Sequence, residues 1–159
     1  MKIIKPNRAT HTYTQSLVGA PDAVFPLLCP VREADWIVGW DPPLVITSSG
    51  VAEPDCVFLT SAQPVDAVWY ITRHDPKAGF VEMIKITPQV TACKLTIQLR
   101  QVVGGCEADV TYSHTSLGAA GDEFVASFTA EFYRQFMQDW ESRVNHYLRH
   151  GTALPAAAG

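Results

Sequence analysis

Hydrophobic and polar residues alternate along much of the first 115 positions, then give way to a spacing of four. The period of two predicts strands over 8–18, 44–47, 56–61, 67–73, 79–87, 92–102 and 106–115. The strands are separated by breakers: Ser49-Gly50, Gln63-Pro64, Asp75-Pro76, Thr87-Pro88 and Gly104-Gly105. Connections this short join antiparallel neighbours and leave no room for crossover helices. After the first strand, Pro21-Asp22 opens a short helix over 23–28 that Cys29-Pro30 closes. A second helical stretch covers 31–36, ahead of a rigid loop at 37–43.

The last third reads differently. No Gly or Pro occurs between Asp122 and Arg149, while Phe124, Phe128, Phe132, Phe136, Trp140, Val144 and Leu148 recur every fourth residue. This predicts one continuous helix over 122–149, opened by Asp122 after a small-residue hinge and closed by Gly151. On a helix of 3.6 residues per turn, a step of four drifts by roughly 40°. The stripe therefore winds around the helix, as suits a rod lying in the concave side of a twisted sheet. Such an arrangement tends to enclose a cavity.

Facing is clearest in two strands. Leu95, Ile97 and Leu99 alternate with polar residues and point inward, as do Val110, Tyr112 and His114. Segments 67–73 and 79–87 are apolar on both faces. In one register Glu82 looks inward with Phe80, Ile84 and Ile86; in the other Val81, Met83 and Lys85 do. An inward lysine is costly, which favours Glu82 inside.

Hydrophobic residues make up 47% of the 159 and charged residues 18%, enough to bury a core in one domain, expected at 1–151 with a loose tail at 152–159. The 12 basic residues are scattered among 16 acidic ones and form no aromatic-interleaved stripe, which argues against nucleic-acid binding. There is no signal-like start and no apolar run near ~18 residues, so no integral membrane segment is expected and a cytoplasmic location is. Cys29, Cys56, Cys93 and Cys106 lack metal-ligand spacing and read as free buried thiols. His146 and His150 have i, i+4 spacing but no third ligand nearby. No metal or other cofactor is expected.

Strand, two short helices, six strands and a long C-terminal helix is the order of the helix-grip fold. Local sequence agrees: Val24-Phe25-Pro26-Leu27-Leu28-Cys29-Pro30-Val31-Arg32-Glu33, then Trp36-Ile37-Val38-Gly39-Trp40-Asp41, resemble the START-like, polyketide cyclase/dehydrase and lipid-transport superfamily (SRPBCC). So do Thr72-Arg73-His74-Asp75-Pro76, Tyr112 with Thr115 and Leu117, and the helix bearing Phe128, Met137, Trp140 and Leu148. The resemblance implies an α+β fold, a curved seven-stranded antiparallel sheet wrapped around the C-terminal helix. It also implies a cavity for a small hydrophobic ligand of lipid, aromatic or polyketide type. Some relatives are enzymes and others activate chaperones, so a cyclase or dehydratase and a filled-core interaction domain stand as rivals. No catalytic motif carries over, and the protein is expected as monomer or homodimer.

The candidate ligand-binding residues are Trp36, Trp40, Trp69, Glu82, Leu95, Ile97, Val110, Tyr112, His114, Phe128, Phe132 and Phe136. By the resemblance, Trp36 and Trp40 lie at the cavity mouth, where they either stack on a flat ligand or cap the core. Glu33, in the same segment, reads as a surface or capping residue ahead of a pocket acid. Tyr112 and His114 need partners if buried, in protein, water or ligand. Glu82 and His114 form the acid/base pair of the enzyme reading, beside the plainer reading of His114 as a bonded core residue. The phenylalanine stripe is core first and cavity wall second.

Overall fold

The computed structural model describes residues 1–156. Seven strands form one antiparallel sheet: β1 (Arg8–Leu17), β2 (Leu44–Ile46), β3 (Val57–Thr60), β4 (Ala67–Asp75), β5 (Phe80–Thr87), β6 (Thr91–Val102) and β7 (Gly105–Ser116). Their order is β1-β7-β6-β5-β4-β3-β2, so β2 to β7 run as a meander and β1 adds to the far edge beside β7. Helix α1 (Pro21–Val24) continues into a 3-10 turn at Phe25–Leu27, and a second 3-10 turn covers Arg32–Asp35. This is the expected α+β helix-grip architecture. Of the expected tail, residues 152–156 carry no helix or strand, and the remainder lies outside the described residues.

The long helix is not continuous. It is divided into α2 (Ala119–Ser127) and α3 (Ala130–His150). Thr129 is extended (φ −78°, ψ 161°), and its Oγ1 accepts from Phe132 N at 3.1 Å as the N-cap of α3. Phe128 turns out of the helix at ψ 64°, and its carbonyl is met by His11 Nε2 at 2.8 Å. A threonine able to cap thus ends one helix and starts another without Gly or Pro. Gly121 seats α2 tightly: a Cβ there would fall 2.0 Å from Val90 O.

Two faces of α3 do different work. Tyr133, Met137 and Val144 are buried in the core. Along that face Tyr133 OH donates to Val110 O (2.5 Å), Gln15 Nε2 donates to Met137 O (3.0 Å), and Asn145 bonds both Val18 N and Ser16 O (2.9 Å each). Phe132 and Phe136, expected in the core stripe, are 53% and 44% exposed.

The sheet settles the facing of β4 and β5. Ala67, Trp69 and Ile71 point inward, and in β5 so do Val81, Met83, Lys85 and Thr87. Met83 is paired with Leu95 and Val81 with Ile97, so the inward set of β6 imposes its facing on β5. Glu82 is therefore on the outer face, contrary to expectation. It pairs with Lys94 at 2.9 Å and accepts from Thr72 at 2.8 Å, and these contacts hold its carboxyl below the ordinary range.

Candidate cavity site

Inward residues of β3 to β7, the second 3-10 turn and its following loop, and α2 and α3 surround a cavity of about 590 Å³. Its walls are largely apolar, with Leu28, Phe58, Met83, Leu95, Ile97 and Phe128 among them, and the exposed Val38, Phe132 and Phe136 also border it. One row of directly paired residues crosses the wall from strand to strand: Phe58, Trp69, Lys85, Cys93 and His114. Phe58 and Trp69 stack at 5.3 Å, and Trp69 Nε1 donates to Thr60 Oγ1 at 2.9 Å.

Four polar groups face this apolar space without a hydrogen-bonding or ion-pair partner among the described residues. Glu33 sits in the second 3-10 turn, and desolvation raises its carboxyl to about 8, so it is protonated near neutrality. Burial also lifts the Tyr112 hydroxyl well above its ordinary value. Lys85 is lowered by burial, and its Nζ rests 4.9 Å from the Trp69 ring centroid. His114 is 4% exposed, wedged between Phe124 (4.7 Å) and Phe128 (4.6 Å), with Nδ1 bonded to nothing. Burial, aided by the charge of Lys85, pushes it down to about 4, so the ring is neutral. The remaining charges on the lining, Asp139 and Arg143, pair with each other at 2.7 Å.

Of the twelve residues expected in the site, nine line the cavity: Trp40, Trp69, Leu95, Ile97, Tyr112, His114, Phe128, Phe132 and Phe136. Three do not. Trp36 is fully buried behind the wall, bonded through Nε1 to Leu27 O and packed on Trp140. Val110 lies beneath Tyr133 in the solid part of the core. Glu82 faces outward, so the Glu82/His114 pair is not assembled. Lys85, the disfavoured alternative to Glu82 on the ground of its burial cost, faces inward because of the short β5–β6 connection, and Glu33, expected as a surface or capping residue, lies where the chain offers no periodic signal.

No family model and no curated protein sequence matches the chain. Solved structures do. A norcoclaurine synthase from Thalictrum flavum, in complex with dopamine and hydroxybenzaldehyde, superimposes with a TM-score of 0.64 at 12% identity, over 94% of this chain and 98% of that one. Ara h 8.0201 gives 0.63 at 14% identity, over 90% and 99%. DynU16, a protein of the dynemicin biosynthetic locus, gives 0.59 at 15% identity, over 90% of this chain and 48% of its own. At these identities the likeness establishes the fold.

Proposed function

We propose that this chain, with the helix-grip fold of the START-like and Bet v 1-type proteins, binds one small, largely apolar ligand in the cavity between the sheet and its C-terminal helices. The observation that carries the reading is the cavity itself: about 590 Å³, apolar walls, and a few polar groups left without protein partners. That combination is what small-molecule sites share, apolar area supplying affinity and sparse polar groups setting orientation. Aromatic faces from Trp40, Trp69, Phe128 and Phe132 suit a ring system as well as an aliphatic chain. The void runs against a filled-core interaction domain. No helix of the described residues is long and apolar enough to cross a membrane.

The test is titration with N-phenyl-1-naphthylamine, a neutral apolar fluorophore. Saturable binding near one per chain is expected, abolished in Leu95→Trp, where an indole fills the void. An absence of saturable binding, or full binding in the filled variant, overturns the reading.

A second reading, an acid–base enzyme of cyclase or dehydratase type, draws support from Glu33. A carboxyl at about 8 within an apolar cavity is poised to give and take a proton near neutral pH, with Tyr112 and the neutral His114 on the same lining. Under that reading Glu33→Gln abolishes turnover of a ligand that still binds.

A further inference from the structure

We propose that the cavity carries an anion subsite at Lys85 and His114, so that its ligand is an apolar body ending in a carboxylate. The inference rests on the ligand-binding reading and specifies the chemistry of the guest.

The two residues stand in one cross-strand row, Lys85 on β5 and His114 on β7, with Cys93 between them on β6. All three side chains point to the concave face, and Lys85 and His114 both line the void. The ammonium of Lys85 has no carboxylate within ion-pair distance among the described residues. The acids on the lining do not serve it: Asp139 is held by Arg143, and Glu33 is protonated near neutrality. Trp69 contributes a ring face, which favours a cation but does not neutralise it. A cation left in an apolar cavity without a counter-charge is costly, and an anion delivered by the guest removes that cost.

His114 supplies the second half of the subsite. Its Nδ1 is buried and unbonded, an unusual state for a polar atom in a folded core. The other ring nitrogen, Nε2, is neither hydrogen-bonded nor sealed off from the void, and in the tautomer that carries its proton there the ring donates to one carboxylate oxygen while Lys85 donates to the other. Charge-assisted bonds of this kind are the stronger class of hydrogen bond. The rest of the guest then lies along Met83, Leu95 and Phe128, towards the exposed rings of Phe132 and Phe136.

The experiment compares naphthalene-2-carboxylate with naphthalene-2-methanol, equal in ring and differing in head group, as competitors of the bound fluorophore at neutral pH. The wild-type protein is expected to prefer the carboxylate by on the order of tenfold or more. Lys85→Met is expected to bring that ratio near one, and Lys85→Arg to keep it above one. A wild-type ratio at or below one overturns the subsite, as does a ratio that survives Lys85→Met in protein whose circular dichroism matches the parent. Failure of the fluorophore to bind at all is a different result and overturns the ligand-binding reading beneath it.

Discussion

Glu33 and Lys85 line the same cavity and form no ion pair with each other. Glu33 rises from the 3-10 turn at Arg32–Asp35, and Lys85 projects from the centre of the sheet. Each therefore meets the low dielectric alone, and desolvation pushes each towards its neutral form: the acid up, the base down.

For Glu33 this fixes a pH dependence. Its folded value of about 8 stands above the ordinary 4.5, so between those values the folded state keeps a proton that the unfolded chain has released. The stability penalty is absent below the lower value, grows as pH rises, and is complete above the upper one. Glu33→Gln should therefore be more stable than the parent at about pH 9, by on the order of 2–4 kcal/mol, and close to equal at about pH 4. Urea unfolding at the two pH values checks this; a gap that does not change with pH refutes it.

His114 runs in the opposite direction. Lowered from 6.5 to about 4, it supports the fold fully above the upper value, and that support is lost as pH falls through the lower one. Its ring resonances in NMR should titrate near the lower value. In His114→Gln the decline of stability on acidification should be shallower, by on the order of 2–3 kcal/mol. A ring midpoint above about pH 6 would contradict the buried, neutral state.

Glu82→Gln is expected to do little. The carboxylate it removes pairs with a largely exposed Lys94 on the outer face, and pairs of this kind are worth about 0–1 kcal/mol. Fluorophore affinity should stay at the parent value. A marked loss of affinity would mean that the facing of β5 is reversed.

Thr129→Ala removes the cap of α3 at an exposed position where little packing is disturbed. The expected cost is about 1 kcal/mol in thermal or urea unfolding, largely recovered by Thr129→Ser. Hydrogen exchange at the amides of Glu131 and Phe132 should quicken in the alanine variant alone.

These comparisons also show what the chain disclosed unaided. Alternation in 94–100 and 108–115 revealed the inner faces of β6 and β7, because polar and aliphatic residues separate cleanly there. For β5 both faces are apolar, so alternation does not separate Glu82 from Lys85, and the cost of burying a lysine points to the opposite facing. The geometry of the turn outweighs that cost: Thr87 pairs with Thr91, so odd positions of β5 meet odd positions of β6. The division between α2 and α3 was hidden because Ser127-Phe128-Thr129 contains no Gly or Pro, and only Thr129 as a capping residue marked it. Of the nine expected residues that line the cavity, those of β6, β7 and the C-terminal helices follow from periodicity and Trp40 from the resemblance; Val110 shares the inward period of β7 but lies a layer deeper, as does Trp36 behind the loop. Glu33 sits in a single 3-10 turn, where no repeat exists to reveal which way a side chain points.

Splitting the C-terminal rod at Phe128 and Thr129 lets its two halves fasten to different parts of the sheet. Helix α3 is held to β1 and β7 by Gln15, Asn145 and Tyr133, whereas α2 is seated by Gly121 on Val90 in the β5–β6 turn and by Asp122 on Asn7. The break lets Phe128 leave the helical path and stack beside Phe124, so that the two rings together shield the His114 imidazole.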